Sequence, residues 1–524
     1  MTCLFFGKRE KHRTVREALV LRGDDLGHRV VRGASFTLLG ISLRTLITLC
    51  SISILAHLLS PTDFGHLAMA TVITELAALF GNMGFSSVLI QKRVITRLQM
   101  DTVFWASVLL GLCLTVAVFL LSYVAIWLYH EPIVGELMRI MCLVFVIEEL
   151  AVIHGVLISR LMRFHADFWI QILPLLCRAT VAIVFAWQGF GVWSLVAGAL
   201  AGSLSRVFLS ILVIPYWPRW RFNFRYLQST WKTNSGYFAG GILFYANSNF
   251  DLFLIGRLLG ASALGYYQNA RSLTDEVRYR MAVPLQRVLF PAFSTLQENT
   301  GWLQSSVLRS GRLLAAIVFP VGIGIAAIAD ELVPVLYGAK WLAMVPVLKL
   351  LGIRTAVAAS TVIASPLFHS RNRVGLALRY NAVGSVIVLL SVAVASTWGM
   401  NAVAGAIALS SLYSLVGYRV GLGLIGLSWK DVWSMCAPPA CASTVMWLSI
   451  EISRAFLVGA IEGGMGELTL HIALGAIVYP LVLIVVSPML LDDVKTVIAK
   501  MRPTAKETLI YSPPLPQENS GIGS

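Results

Sequence analysis

The sequence predicts an all-α membrane protein of about 14 transmembrane helices, with two six-helix lobes in a parallel pseudo-two-fold repeat and two extra C-terminal helices. Three observations predict it. Hydrophobic residues make up 57% of the 524-residue chain and charged residues only 13%, which is too apolar for a soluble core of this size. Apolar stretches long enough to cross a hydrocarbon layer of about 30 Å recur along most of the chain. Two segments 200 residues apart share a sequence pattern.

The first segment, residues 1–33, is polar and basic, and it lacks an apolar stretch that ends in a small-residue cleavage site. We therefore expect it to lie in the cytoplasm. The remaining chain divides into an N-lobe of six spans, a cytoplasmic linker, a C-lobe of six spans, two further spans and a cytoplasmic tail: 34–214, 215–230, 231–425, 433–490 and 491–524.

The distribution of basic residues predicts the orientation of these spans. Lysine and arginine concentrate in the loops that this order places inside, while the external loops hold little beyond Arg257, Lys340 and Arg454. The net charge of +15 is thus a topology signal and does not indicate a nucleic-acid partner. The seven cysteines fall mostly in apolar spans without metal-ligand spacing, so neither a metal nor another cofactor is predicted.

The eighth predicted span, 264–290, is unusually polar for a membrane helix. Its charged residues are Arg271, Asp275, Glu276, Arg278 and Arg280. If this segment did not cross, every later loop would change sides and the basic tail would lie outside, against the positive-inside rule. We therefore predict that it crosses.

An internal repeat supports this crossing. The same pattern joins two consecutive spans in each half: Leu58-Leu59-x5-Gly65-x4-Ala70 and Leu258-Leu259-x5-Gly265-x4-Ala270. Because six spans separate the copies, the two lobes have the same orientation and are related by an axis along the membrane normal. We expect a substrate path between the lobes.

Charged residues inside the spans predict where this path lies, because an unpaired charge at mid-membrane costs about 2.5–3.5 kcal/mol. An internal ion pair is an equally good interpretation of any single residue, whereas the whole set favours transport. Further charges deep in the spans include Glu148, Glu149, Arg178, Arg206 and Lys349. The predicted site comprises arginines for a phosphate-type anion (Arg44, Arg271, Arg278, Arg354), carboxylates (Glu75, Asp251, Asp275) and one amide on the cavity wall (Asn247).

An excess of arginine suits an anionic substrate, because guanidinium groups bind phosphate bidentately and keep their charge at any relevant pH. Diphosphate is the group that we expect. The carboxylates either neutralise the arginines or bind a coupling cation, and the sequence leaves both interpretations open.

Several stretches resemble a known family: LLSPTDFG at 58–65, MGFSSVLIQK at 83–92, NFDLFLIGRLLG at 249–260, GYYQNA at 265–270 and PLQRVLFPAF at 284–293. Their order is similar to that in polysaccharide transporters (oligosaccharide flippases) of the MOP exporter superfamily, in the exopolysaccharide branch of the succinoglycan and colanic-acid type. The resemblance covers roughly residues 30–430.

The resemblance implies a flippase that moves undecaprenyl-diphosphate-linked oligosaccharide repeat units across the bacterial inner membrane by alternating access, coupled to a proton or sodium gradient. It implies a monomer that contacts membrane lipids and the polysaccharide polymerase and export machinery. Cavity arginines are thought to hold the lipid-linked phosphate in related flippases, which suits Arg44, Arg271 and Arg278 by position.

Two other function classes stay open. A multidrug exporter of the same superfamily would favour an acidic or aromatic cavity for organic cations, against the arginine excess. A membrane glycan polymerase or glycosyltransferase would carry a large external loop or an acidic metal-binding motif, and neither is visible in the sequence. No catalytic residue and no G-x-x-x-x-G-K-[ST] phosphate loop is found, so we expect a protein that is not an enzyme.

Overall fold

The computed structural model describes residues 26–81, 89–90, 92, 94–295, 299–456, 464–487, 489–490 and 492–493. For residues 26–38, 229–244, 246–247, 277–288, 290–292, 294–295, 359 and 374 it describes the backbone alone. The described chain is built from helices, which confirms the predicted all-α class.

The helices of the N-terminal half end with residue 213. They are α1 (Leu26–Leu58), α2 (Pro61–Gly81), α3 (Arg97–Tyr129), α4 (Pro132–Met141), α5 (Leu143–Glu149), α6 (Val152–Arg160), α7 (Phe164–Trp187) and α8 (Trp193–Val213). Helix α3 shows why a bilayer must surround them, because one stripe of its apolar side chains is more than half exposed: Leu109, Leu112, Val116, Leu120 and Val124.

The C-terminal half begins with α9 (Phe224–Thr295), which reverses direction at Gly260, where φ is 84°. The helices that follow are α10 (Thr300–Ala327), α11 (Ala329–Tyr337), α12 (Val345–Ser360), α13 (Ala364–Ser370), α14 (Val374–Ala395), α15 (Met400–Ser410), α16 (Tyr413–Gly423), α17 (Trp429–Phe456) and α18 (Met465–Val486). A 3-10 turn, Ala339–Met344, joins α11 to α12.

The chain is a multi-pass membrane protein. Among the described residues, 10 helices are long and apolar enough to cross a membrane, or 11 when the bent pair Pro132–Glu149 and Val152–Arg160 is taken as one span. The predicted seventh, eighth and thirteenth spans correspond to the two arms of α9 and to α17, which are helical but fall outside that set. The total of 14 spans therefore stays a prediction.

The predicted eighth span is the returning arm of α9. Side chains on this arm bond back to the first arm, since Tyr267 and Arg271 both contact Asp251. Such contacts across the turn at Gly260 require the two arms to run antiparallel. The polar segment is thus a helix paired with the predicted seventh span, and its crossing of the membrane stays a prediction.

The short connection between α8 and α9 is fixed to the N-terminal end of α3. The buried Asp101 carboxylate accepts hydrogen bonds from the Tyr216 hydroxyl and, at 3.1 Å, from the Arg219 amide. The rings of Trp105 and Trp220 stack with their centroids 4.0 Å apart. Burial, together with the nearby Asp101 charge, raises the pKa of Tyr216 above its usual value, so its hydroxyl stays protonated and remains a donor.

Replacing Asp101 with alanine is expected to lower the free energy of unfolding by about 1–3 kcal/mol, because the buried Tyr216 hydroxyl and the Arg219 amide both lose their acceptor. Thermal unfolding of the purified protein in detergent measures this loss. The exposed Glu136 on α4 provides the matched control, and Glu136→Ala should leave the unfolding temperature unchanged. Equal unfolding temperatures for both variants would contradict the anchoring role of Asp101.

Candidate functional site

The two halves of the chain meet where α2 and α9 cross, close to the turn at Gly260. A Cβ atom built on Gly65 would lie 1.8 Å from the Ala261 carbonyl oxygen, and one on Gly265 would lie 1.9 Å from the Pro61 carbonyl oxygen. The two backbones are therefore in direct contact. We call the segments 61–65 and 261–265 the crossing.

The crossing has the symmetry that the sequence repeat predicts. The hydroxyl oxygens of Thr62 and Ser262, which are 200 residues apart, lie 2.7 Å from each other. Gly65 approaches Ala261 while Gly265 approaches Pro61, so each contact has a counterpart 200 residues away in the chain. Reciprocal contacts of this kind arise when a two-fold axis passes through the interface.

Two residues of the turn between α11 and α12 extend this contact to α1. The Trp341 indole nitrogen donates to the Ala56 carbonyl oxygen at 3.0 Å, and the Lys340 ammonium donates to the His57 carbonyl oxygen at 2.8 Å. The Trp341 ring also packs edge-on against Phe64. This end of the bundle is therefore closed by contacts from both halves.

Below the crossing, α2 and α9 enclose a polar cavity of about 390 Å³, which we call the interlobe cavity. Glu75 lines it from α2. The side chains that line it from α9 are Tyr245, Ser248, Asn249, Leu252, Gln268, Arg271, Ser272, Asp275 and Glu276.

Arg271 on the returning arm of α9 is already held by carboxylates. One of its terminal nitrogens lies 2.8 Å and 3.0 Å from the two Asp251 oxygens, and its Nε donates to Asp275 at 3.1 Å. A further donor bonds the Ser248 carbonyl oxygen, and Tyr267 donates its hydroxyl to Asp251 at 2.7 Å. Because the Arg271 side chain is only 11% exposed, these bonds leave little of its guanidinium for a substrate.

Glu75 is linked to α9 through Tyr245. The Tyr245 hydroxyl donates to the Val72 carbonyl oxygen at 2.9 Å and lies 3.4 Å from the Glu75 carboxylate. The three described carboxylates of the interlobe cavity, on Glu75, Asp275 and Glu276, face one guanidinium, which is a formal charge of −2. Acidic groups therefore outnumber basic groups in the described part of this cavity. The predicted arginine excess includes Arg278, whose side chain lies outside the described residues.

A second polar cavity of about 290 Å³, the C-lobe cavity, lies on the other side of Arg271 and also contains Asp251 and Arg354. One terminal nitrogen of Arg354 is buried and has no hydrogen-bond partner in the described part of the chain. The remaining wall is rich in hydroxyl and amide groups: Ser248, Tyr380, Asn381, Ser385, Ser410, Ser411, Tyr413 and Ser414. The stacked rings of Tyr380 and Tyr413 lie 4.4 Å apart at its edge. Among the described residues, this nitrogen of Arg354 therefore lacks an acceptor.

Arg44 does not join either of these cavities. It lines a third one of about 340 Å³, the N-lobe cavity, between α1, α5, α6, α7 and α8. Its charged members are three arginines and two carboxylates: Arg44, Arg178, Arg206, Glu148 and Asp167. Ser203 donates to Glu148 at 3.2 Å and Gln171 donates to Asp167 at 2.7 Å, so both carboxylates already accept a hydrogen bond. Arginines therefore outnumber carboxylates in this cavity, of which Arg44 alone belongs to the predicted site.

The side chains of Arg278 and Asn247, two other predicted site residues, lie outside the described residues. Arg278 belongs to the returning arm of α9 and Asn247 to the first arm. Their proposed contributions to the site stay predictions.

Comparison with known proteins identifies the family. A family model described as "Polysaccharide biosynthesis protein" matches residues 54–346, which is more than half of the chain. The chain belongs to this polysaccharide biosynthesis protein family. The matched range contains the crossing and nearly all of the charged residues of the three cavities, Arg44 and Arg354 being outside it.

Curated relatives of this polysaccharide biosynthesis protein are similar over much of their length. The lipopolysaccharide biosynthesis protein WzxC of Escherichia coli is 25% identical over 379 residues, covering 70% of this chain and 75% of WzxC. The succinoglycan biosynthesis transport protein ExoT of Rhizobium meliloti is 26% identical over 307 residues, covering 59% of this chain and 62% of ExoT. These proteins belong to the group that the sequence motifs resembled.

A solved structure shares the fold of this polysaccharide biosynthesis protein. The lipid II flippase MurJ in an inward closed conformation superposes with a TM-score of 0.67 at 16% identity, covering 88% of this chain and 100% of that chain. At this level of identity the likeness shows the fold alone. The shared fold is an all-helical bundle.

The site of this polysaccharide biosynthesis protein includes residues that the sequence interpretation left out. Arg178 and Arg206 stood out as charges deep in predicted spans, but only the structure places them beside Arg44. Gly198 and Gly202 on α8 allow this placement, because a Cβ atom on either would approach Arg178 to 3.0 Å or less. Arg178 could have been identified from the sequence as an arginine on a span whose neighbour carries two glycines, Gly198 and Gly202.

Proposed function

We propose that this protein is a flippase that moves a polyprenyl-diphosphate-linked oligosaccharide across the bacterial inner membrane by alternating access of its two halves. One observation carries the proposal: repeat-related segments meet at one end of the bundle, while charged cavities lie among its helices. Family membership and relatives named for lipopolysaccharide and succinoglycan biosynthesis support the substrate class.

We assign the diphosphate to the N-lobe cavity, where arginines outnumber carboxylates. Guanidinium groups can bind phosphate oxygens in pairs, and the carboxylates there are already engaged by Ser203 and Gln171. Arg354, with its unpartnered nitrogen, would bind a sugar hydroxyl or a second phosphate oxygen in the C-lobe cavity. Arg278 keeps its proposed phosphate-binding role.

The acidic interlobe cavity is better suited to a cation. Glu75, Asp251 and Asp275 surround Arg271, so we assign this group, with Arg271, to coupling with a proton or sodium gradient. The protein acts as a monomer with both termini in the cytoplasm, delivers repeat units to the polymerase and export machinery, and catalyses no covalent step.

Replacing Arg178 with glutamine should lower polysaccharide export about 10-fold or more, because a charge-assisted contact to a phosphate contributes about 1.5–3 kcal/mol. Export and the amount of lipid-linked repeat unit are measured in a strain that carries the variant. Arg257→Gln is the matched control, since Arg257 is an exposed arginine near the turn of α9. Wild-type export by Arg178→Gln and by Arg44→Gln would remove the N-lobe cavity from the site.

Deletion of the gene provides the test of the function as a whole. A flippase mutant should stop exporting its polysaccharide and should accumulate lipid-linked repeat units on the cytoplasmic leaflet, and the wild-type gene should restore both. Normal export without accumulation would overturn the proposal.

The acidic interlobe cavity also favours one alternative, export of organic cations. The same deletion strain separates the two functions. A drug exporter mutant becomes sensitive to cationic dyes and keeps its polysaccharide, whereas a flippase mutant shows the opposite pattern.

A further inference from the structure

A network of charged side chains links α11, α12 and α17 at the end of the bundle that carries the crossing. Arg454 on α17 is its centre and donates to both oxygens of Glu331, at 2.8 and 3.0 Å, and to Glu451 at 2.6 Å. Asp330 lies 3.3 Å from Arg454 and 2.6 Å from the ammonium of Lys349. The proposed transport pathway uses none of these groups.

His471 on α18 adds an imidazole to this network. It is fully buried, and one ring nitrogen lies 3.1 Å from a Glu331 oxygen. This contact does not have the angles of a hydrogen bond, and neither ring nitrogen has a hydrogen-bond partner among the described residues. Glu467 lies one helical turn before His471, and ligand atoms of Glu331, Glu467 and His471 all lie within 4.8 Å of one another. A buried imidazole without a hydrogen-bond partner therefore faces two carboxylates.

The charges of this network do not balance. Four carboxylates, on Asp330, Glu331, Glu451 and Glu467, face the two cations Lys349 and Arg454, which is a formal charge of −2 without His471. Glu331 and His471 are buried, where an uncompensated charge is costly, whereas the Asp330 and Glu451 side chains are 38% and 40% exposed. A divalent cation at the buried end of the network would offset its negative charge.

The ligand set indicates which cation fits. One imidazole with two carboxylates is typical of zinc and of other divalent transition metals, whereas calcium and magnesium prefer oxygen ligands alone. Arg454 would hold the Glu331 carboxylate in position, as hydrogen-bond partners of metal ligands commonly do. Glu467 is partly exposed and gives an ion a way in. We propose that Glu331, Glu467 and His471 form a binding site for a divalent transition-metal ion such as Zn²⁺.

The position of the site suggests what the ion would do. Glu331 is on α11, and the turn after α11 carries Lys340 and Trp341, which bond the end of α1 at the crossing. The ion would join α18 to α11. It would thereby hold α11 rigid, and α11 leads into the turn whose Lys340 and Trp341 contact the end of α1 at the crossing.

Zinc titration of the intact protein tests this site. The protein is purified in detergent, freed of its affinity tag, stripped with EDTA and titrated with ZnCl₂ in a calorimeter. We expect one saturable equivalent per chain and a higher unfolding temperature with Zn²⁺, and no comparable effect of MgCl₂. Glu467→Gln and His471→Ala should each weaken zinc binding by at least about 100-fold, since loss even of a partner to a ligand costs about 10–100-fold.

His165→Ala is the control, because His165 is on α7, away from the network, and its loss should leave binding unchanged. If His471→Ala does not fold, Glu467→Gln still tests the site. Glu467 is only partly buried, so in EDTA this variant should unfold at the wild-type temperature. Zinc binding that neither variant weakens, or no saturable binding to folded wild-type protein, would overturn the proposal.

Discussion

Replacing Gly65 with alanine is expected to reduce polysaccharide export about 100-fold while the protein remains inserted in the membrane. The Cβ atom would lie 1.8 Å from the Ala261 carbonyl oxygen, and a backbone atom cannot move away by rotating a side chain. Separating the two helices would cost about 3 kcal/mol, which is enough to shift an equilibrium between closed and open crossings by about 100-fold. Export assays measure the secreted polysaccharide, and membrane fractionation measures how much of the variant is inserted.

The repeat provides a second test of the same result. Gly265→Ala places a Cβ atom 1.9 Å from the Pro61 carbonyl oxygen, so it should impair export to a similar extent as Gly65→Ala. Gly375→Ala is the matched control, because no atom beyond its own stretch of helix lies within 4 Å of a Cβ atom at this position. Export at the wild-type level by both crossing variants would show that closure of this end is not needed for transport.

Replacing Asp251 with asparagine is expected to lower the free energy of unfolding by about 3–5 kcal/mol, the usual cost of removing one partner of a buried ion pair. Asp251 supplies both oxygens that Arg271 contacts at 2.8 and 3.0 Å, and it accepts the Tyr267 hydroxyl. Chemical unfolding in detergent measures the loss. The control Arg257→Gln removes an arginine from the same helix at an exposed position and should have no effect.

The double variant Asp251→Asn with Arg271→Gln separates a structural role from coupling. Neutralising both partners removes the unpaired charge, so we expect most of the stability to return. If the acidic group couples transport to an ion, export should still be lost. Restored export together with restored stability would mean that Asp251 and Arg271 only lock the two arms of α9 together.

The sequence predicted residue contacts correctly where both residues lie on one helix or at equivalent positions of the repeat. The i, i+4 spacing placed Arg271 and Asp275 on one face of the returning arm of α9, and the structure joins them at 3.1 Å. The repeat of Gly65 and Gly265 identified two positions that meet at the crossing. Spacing within a helix and equivalence between repeats are both properties of the sequence alone.

The sequence did not predict which helices pack against one another. The repeat made the first and seventh spans equivalent, which suggested that Arg44 lies near Arg271. Helix α1 instead packs against α7, where a Cβ atom on Gly40 would lie 3.2 Å from the Phe168 ring, and Arg44 lines the N-lobe cavity. Which partner a helix selects depends on the shape of both surfaces, and one sequence does not contain that comparison.

A cross-link at the crossing tests the central claim most directly, because Thr62 and Ser262 approach to 2.7 Å between hydroxyl oxygens. The double variant Thr62→Cys with Ser262→Cys is reconstituted into vesicles that contain a polyprenyl-diphosphate-linked oligosaccharide, oxidised, and assayed for transfer between leaflets. If the two halves must separate here, the oxidised protein will be inactive, a reductant will restore transfer, and neither single variant will respond. Undiminished transfer by fully cross-linked protein would contradict alternating access at the crossing.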